Sequence, residues 1–84
     1  MVVEILLPFT ALKDLKEKKH LCERCGVKEY LVIDPLEEYV KRFWLDAEGA
    51  YAKGDIFGPR EVLSCKSLEG IEINLWEIFE LEKP

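Results

Sequence analysis

Val2, Val3, Ile5, Leu6 and Leu7 form an apolar run interrupted by one charged residue, Glu4. A short run rich in β-branched residues reads as a strand, so 2–7 is assigned as one. Pro8 stops it and Thr10 is a candidate N-cap, which predicts a helix over about 11–25 with Gly26 placed to end it. The segment YLVID at 30–34 is again β-rich and is closed by Pro35. Strand, helix and strand in this order make a βαβ unit, whose two strands are expected to pair in parallel.

The pattern then changes to strict alternation. In YVKRFWL, 39–45, Tyr39, Phe43 and Leu45 share one face while Val40, Arg42 and Trp44 share the other, and a turn at AEGA leads into a weaker return strand at 50–57. Gly58-Pro59 breaks that strand before another short one at EVLSC. In INLWEIF, Asn74 and Glu77 have capping-box spacing, so a short helix is expected there with Leu75, Ile78 and Phe79 packing on the sheet. The expected class is α+β: one domain over 1–84, a mixed sheet built from the first strand and residues 30–65, one main helix and a short C-terminal helix.

Composition keeps this picture within ordinary globular bounds. Of 84 residues, 49% are hydrophobic and 35% charged, which excludes a disordered or fibrous chain. No apolar stretch has membrane-spanning length and the N-terminus does not resemble a signal peptide, so no membrane association is expected and a cytoplasmic location is the default. Three cysteines, Cys22, Cys25 and Cys65, cannot pair completely and are expected to be reduced. The net charge of −5 is uneven: residues 1–28 carry six basic and four acidic groups, and the remainder six basic and thirteen acidic. Lys13, Lys16, Lys18, Lys19, Arg24 and Lys28 supply the basic part, most simply as a solvated helix face.

The helix narrows the chemistry. At 100° per residue, Ala11, Leu12, Leu15, Cys22 and Cys25 share the arc expected to face the core, and Lys18 falls within it. A lysine there must snorkel out or meet an anion, because an unpaired buried ammonium is too costly. Glu4, on the sheet beneath, is the candidate anion; otherwise it is a charged residue of an edge strand facing water. Lys19 lies nearer the rim and is expected to reach water. His20, Cys22 and Cys25 in HLCERC suggest zinc, yet His20 lies about 200° round from Cys22 on the wheel, so a closed site is not expected. A redox pair is also not expected, since reactive CxxC thiols sit at helix N-termini. There is no phosphate-binding Gly-rich loop and no Ser, His and Asp set for a triad. Tyr30, Trp44, Tyr51 and Trp76 read as core residues before they read as base-stacking ones.

The run VVEILLPFTALKDLKEKKHLCERCGVKEYLVIDP resembles the signature segment of the Uma family of restriction-endonuclease-like proteins, a branch of the PD-(D/E)XK nuclease superfamily. Val2, Val3, Glu4, Leu6, Pro8, Thr10, Asp14, Leu15, Glu17, Lys18, Gly26, Val27, Glu29, Tyr30, Val32, Asp34 and Pro35 carry the likeness. The later YVKRFWL, SCKSLEGIEI and NLWEIF are similar to the family's closing strands and terminal helix.

The resemblance implies a partial restriction-endonuclease-like fold and metal-dependent hydrolysis of DNA. It implies that Glu4 is a metal-binding carboxylate and that Lys18 replaces the lysine usually found two residues after the glutamate, where Leu6 stands here. The implied cation is Mg²⁺, which this chain alone is not expected to bind. The family's aspartate belongs to a strand that would lie before Met1, so the chain resembles the C-terminal half of the domain and is expected to be inactive by itself. Leu7, Phe9 and Cys22 also depart from the family pattern. Three readings follow: a nuclease-derived domain that cleaves DNA only when completed, a non-catalytic interaction or dimerisation module, or a remnant without function. An open edge at 2–7 leads to the expectation of a homo-oligomer.

Overall fold

The computed structural model describes residues 1–7, 9 and 12–84, with Leu12 described by its backbone alone. The Pro8 stop, the Thr10 cap and the core-facing places assigned to Ala11 and Leu12 lie outside the described residues. Strand β1 spans Val2–Ile5, helix α1 Leu12–Arg24 and strand β2 Glu29–Asp34. As the βαβ order predicts, β1 and β2 pair in parallel, with Val2 opposite Tyr30 and Glu4 opposite Val32. Regular β1 is shorter than the 2–7 expected. The Leu6 N–H still donates to the Ile33 carbonyl at 2.8 Å, but Leu7 is exposed.

Gly26 ends α1 with a φ of 75°, a conformation that costs glycine least. The Gly26 N–H reaches the Glu23 carbonyl at 3.1 Å and the Val27 N–H reaches that of Cys22 at 3.0 Å, the paired bonds of a Schellman turn. After β2, the Asp34 side chain accepts from the N–H groups of Leu36 and Glu37 at 3.0 and 2.9 Å and bends the chain into β3, Tyr39–Trp44. β3 is antiparallel to β2. At the next turn Asp46 accepts from Glu48 and Ala50. The return strand is interrupted: a single bridge joins Leu45 and Tyr51, and β4 covers only Asp55–Phe57.

The sheet is mixed, in the order β1-β2-β3-β4. One expected member is not part of it. Strand β5, Val62–Ser64, pairs with β6, Glu72–Asn74, as a separate two-stranded sheet. Side chains, not edge pairing, attach this hairpin: the buried carboxylate of Glu29 accepts from the N–H groups of Lys66 and Ser67, and Arg42 donates to the Ser64 carbonyl at 2.9 Å.

The two faces of the main sheet therefore have different covers. Val3, Ile5, Leu31, Ile33, Val40 and Arg42 point one way by register. Leu31, Ile33 and Val40 there pack with Leu63, Cys65 and Leu75 in the apolar core. Helix α2, Leu75–Ile78, starts at Asn74 as expected, but no side-chain cap bond to the helix backbone forms; the Asn74 amide instead lies 3.5 Å from the Glu77 carboxylate. Leu75 is buried and Phe79 packs on the core. Ile78 is exposed, contrary to expectation, while Trp76 is buried, because a four-residue helix presents barely one turn to the sheet. The opposite face carries Val2, Glu4, Tyr30, Val32, Lys41 and Phe43 by the same register. Among the described residues no helix is long and apolar enough to cross a membrane.

Candidate functional site

On this second face β1 and α1 bring the two expected site residues together. The Lys18 ammonium donates to Glu4 Oε1 at 2.8 Å. Their side chains are 54% and 22% exposed respectively, so Lys18 leaves the apolar arc for solvent and meets its carboxylate there. Both outcomes foreseen for a lysine on that arc occur at once, since its long stem covers apolar surface while its tip stays wet. The hydrogen bond from Lys18 to Glu4, and then the attraction of the Glu4 charge, hold the ammonium above the ordinary lysine range despite a small opposing effect of desolvation. Lys18 is a fixed cation at neutral pH.

Two further groups sense Glu4. Tyr30 is fully buried, and its hydroxyl has no hydrogen-bond partner among the described residues. Burial, then the charges of Glu4 and Cys22, push its ionisation upward. Cys22 is half-buried, and its thiol is pushed up first by burial and then by Cys25 and Glu4. A thiol held in its protonated form is a poor nucleophile and a poor metal ligand.

The residues of HLCERC separate. His20 is exposed and lies 3.6 Å from Glu23 Oε1, Cys25 is exposed rather than facing the core, and Cys65 is buried in the core on the other side of the sheet. Cys25 falls off the core arc because α1 ends at Arg24 and the chain turns there toward Gly26. Among the described residues no three of His, Cys, Asp and Glu gather where they could hold a metal ion. A hard cation such as Mg²⁺ requires several converging oxygens, and Glu4 with a lysine at its side is a single carboxylate. The described residues therefore do not by themselves form a site that fits Mg²⁺.

Two groupings escaped the sequence reading. The first is the network beneath β2 and β3. Glu29 is fully buried and accepts from the Lys66 N–H, the Ser67 N–H and the Ser67 hydroxyl at 3.0, 3.1 and 2.7 Å. Arg42 lies 3.7 Å from it and 3.2 Å from Asp55. Burial alone would raise the Glu29 carboxyl, but these hydrogen bonds and the Arg42 charge together hold it below the ordinary carboxylate range. The only sequence signal was positional: Glu29 heads a strand buried on this face, and Arg42 shares a face of its strand with Val40 and Trp44.

The second is a cleft between α1 and the sheet, lined by Lys16, Lys19 and Lys41 with Leu6, Leu15, Tyr30, Val32, Tyr39 and Phe43. Lys19 does not extend into water as expected. Its ammonium lies 4.1 Å from the centre of the Phe43 ring, and that of Lys41 lies 5.1 Å from the same ring. Rim position on a helical wheel places Lys19 relative to its own helix, whereas the ring that attracts it comes from β3.

Comparison with known proteins adds the following. The chain matches the family model Uma2, described as "Putative restriction endonuclease", over residues 1–76. No curated protein matches it. Among solved structures it is similar to a crystal structure of a "putative nuclease belonging to DUF820" from Anabaena variabilis, with a TM-score of 0.75 and 19% identity. That likeness covers 93% of this chain but 42% of the other, so the chain spans less than half the length of that protein. At such identity the match is one of fold. The family match extends from β1 through the start of α2, and on that ground the chain belongs to the Uma2 family of restriction-endonuclease-like proteins.

Proposed function

We propose that residues 1–84 carry one side of a metal-dependent DNA-cleaving site of the PD-(D/E)XK kind, corresponding to the C-terminal half of such a domain, and that they do not cleave DNA alone. The observation that supports this reading is the 2.8 Å contact of Lys18 with Glu4 across the α1–sheet interface. They are fourteen positions apart in sequence, and the resemblance assigns both to the same site. Glu4 is the oxygen ligand this side contributes; the remaining donors for a divalent cation come from outside the described residues. Lys18, permanently charged and open to solvent, is placed to donate to a phosphate oxygen as negative charge develops on it. No chemical step follows from these two residues without the missing donors.

The test uses the 84-residue chain alone and joined to the N-terminal part of a longer Uma2-family protein, each with supercoiled plasmid and Mg²⁺ or Mn²⁺. The plasmid is expected to remain intact with the chain alone and to be nicked by the joined protein, and Glu4→Ala and Lys18→Ala in the joined protein are each expected to abolish that nicking. Nicking by the joined protein that survives Glu4→Ala would refute Glu4 as the metal-facing carboxylate, and nicking by the chain alone that Glu4→Ala abolishes would refute inactivity.

A second reading, an interaction module that pairs with another copy of itself, is favoured by a separate observation. Among the described residues β1 is paired only on its β2 side, and Val3 and Ile5 are 45% and 55% exposed. An open edge with apolar side chains invites another strand.

A further inference from the structure

We propose that Lys16, Lys19 and Lys41 form a phosphate-binding subsite, separate from Glu4 and Lys18, that holds one backbone phosphate of a DNA strand. The inference rests on the nuclease reading for the identity of the strand, but not for the chemistry of the site. Three observations support it.

First, three lysines from two elements line one cleft: Lys16 and Lys19 from α1, Lys41 from β3. In a chain with 17 acidic residues and a net charge of −5, cations gathered by chance would be expected to collect carboxylates. Among the described residues none of these three forms an ion pair, whereas Lys13, Lys18 and Arg42 each do. No carboxylate of the described residues lines the cleft beside them.

Second, two of them are held rather than waving in solvent. Lys19 and Lys41 are half-buried, and both lie over the ring of Phe43. A ring face attracts a cation but satisfies none of the three N–H donors of an ammonium. An anion with several acceptor oxygens supplies what the ring cannot, and phosphate has the number of oxygens and the charge to bridge neighbouring lysines.

Third, the chain keeps room for this arrangement at Gly54. A Cβ built there would lie 2.8 Å from Lys41 Cε, 3.0 Å from Phe43 Cε1 and 3.1 Å from Lys41 Cγ. Gly54 therefore lies close against both the Lys41 stem and the Phe43 ring, and a side chain at 54 would require them to shift.

The ligand is defined by its chemistry: a phosphate group, from a nucleic-acid strand or from a small phosphorylated compound. Affinity for a short fluorescein-labelled oligo-dT is measured by anisotropy in EDTA over a range of salt, where no cleavage and no metal site is involved. Lys19→Gln and Lys41→Gln are each expected to weaken binding about three- to tenfold and to lower the salt slope by about 0.7 per lysine. Gly54→Ala, which changes no charge, is expected to weaken it by displacing Lys41. Lys28→Gln and Lys83→Gln remove the same charge elsewhere and are expected to have little effect. In parallel, inorganic phosphate is titrated into the wild-type chain while the Lys19 and Lys41 side-chain resonances are followed.

Shifts confined to these lysines together with oligo-dT binding support the proposal; phosphate shifts without oligo-dT binding keep the site and assign it to a small phosphorylated ligand. Equal losses for the cleft and control lysines, or phosphate shifts spread over all lysines, would overturn it. Nicking by the joined protein that survives Glu4→Ala, with this subsite intact, would refute only the nuclease reading, and the reverse result only the subsite.

Discussion

Replacing Glu29 by glutamine is expected to destabilise the fold more than any other single removal of charge. The substitution keeps size and shape while changing one carboxylate oxygen to an N–H₂ donor. Wild-type Glu29 is fully buried with three hydrogen bonds, two of them to backbone N–H groups. In the variant either Lys66 or Ser67 presents a donor to the new amide, and Arg42 loses its buried counter-charge. Hydrogen bonds to a charged group are each worth about 1.5–3 kcal/mol, and a buried donor left without an acceptor costs about 1–3 kcal/mol. Because the amide oxygen retains part of the pattern, a net loss of about 2–3 kcal/mol is expected, or a fall in Tm of about 10–20 °C for a chain of this size. Urea unfolding followed by tryptophan fluorescence from Trp44 and Trp76 measures it.

The pH dependence gives a second check on the same residue. The folded-state carboxyl of Glu29 is depressed, so its contribution is complete above the ordinary carboxylate range and is lost as pH falls through the folded value. The gap between wild type and Glu29→Gln should therefore narrow in acid. A variant within about 0.5 kcal/mol of wild type, the range of an ordinary surface change, would refute the view that Glu29 attaches the β5–β6 hairpin to the sheet.

Three other expectations test different parts of the fold. Tyr51 donates to the Val27 carbonyl at 2.8 Å, and burial first, then Cys22, Glu23 and Tyr30, pushes its ionisation up to about 12; ultraviolet titration should show a phenolic step near that value that vanishes in Tyr51→Phe. Iodoacetamide should modify exposed Cys25 in the native protein well before buried Cys65, and similar rates for the two would contradict the placement of Cys65 in the core. Light scattering should show self-association that rises with concentration and is weakened by Val3→Lys on the open β1 edge; a strict monomer over a wide range would remove the dimerisation reading.

What the sequence determined by itself was local. β-branched runs at 2–5 and 30–34, a glycine where the helix had to turn with positive φ, and apolar spacing along 12–24 decided the elements, their order and the parallel pairing, because these depend on interactions within a few residues. The helical wheel likewise put Lys18 on the sheet side and made Glu4, on the strand beneath, its candidate anion; family resemblance added a shared site for the two. Only the tertiary structure decided the distances and the second partners. Whether Lys18 meets Glu4 depends on how α1 lies across β1. Lys19 turns inward because Phe43, 24 positions later, supplies a ring. The strand at 62–64 leaves the main sheet because a buried glutamate and an arginine on β2 and β3 hold the segment that follows it. In each case the deciding group is remote in sequence, and a periodic pattern carries the direction of a side chain without carrying what stands opposite it.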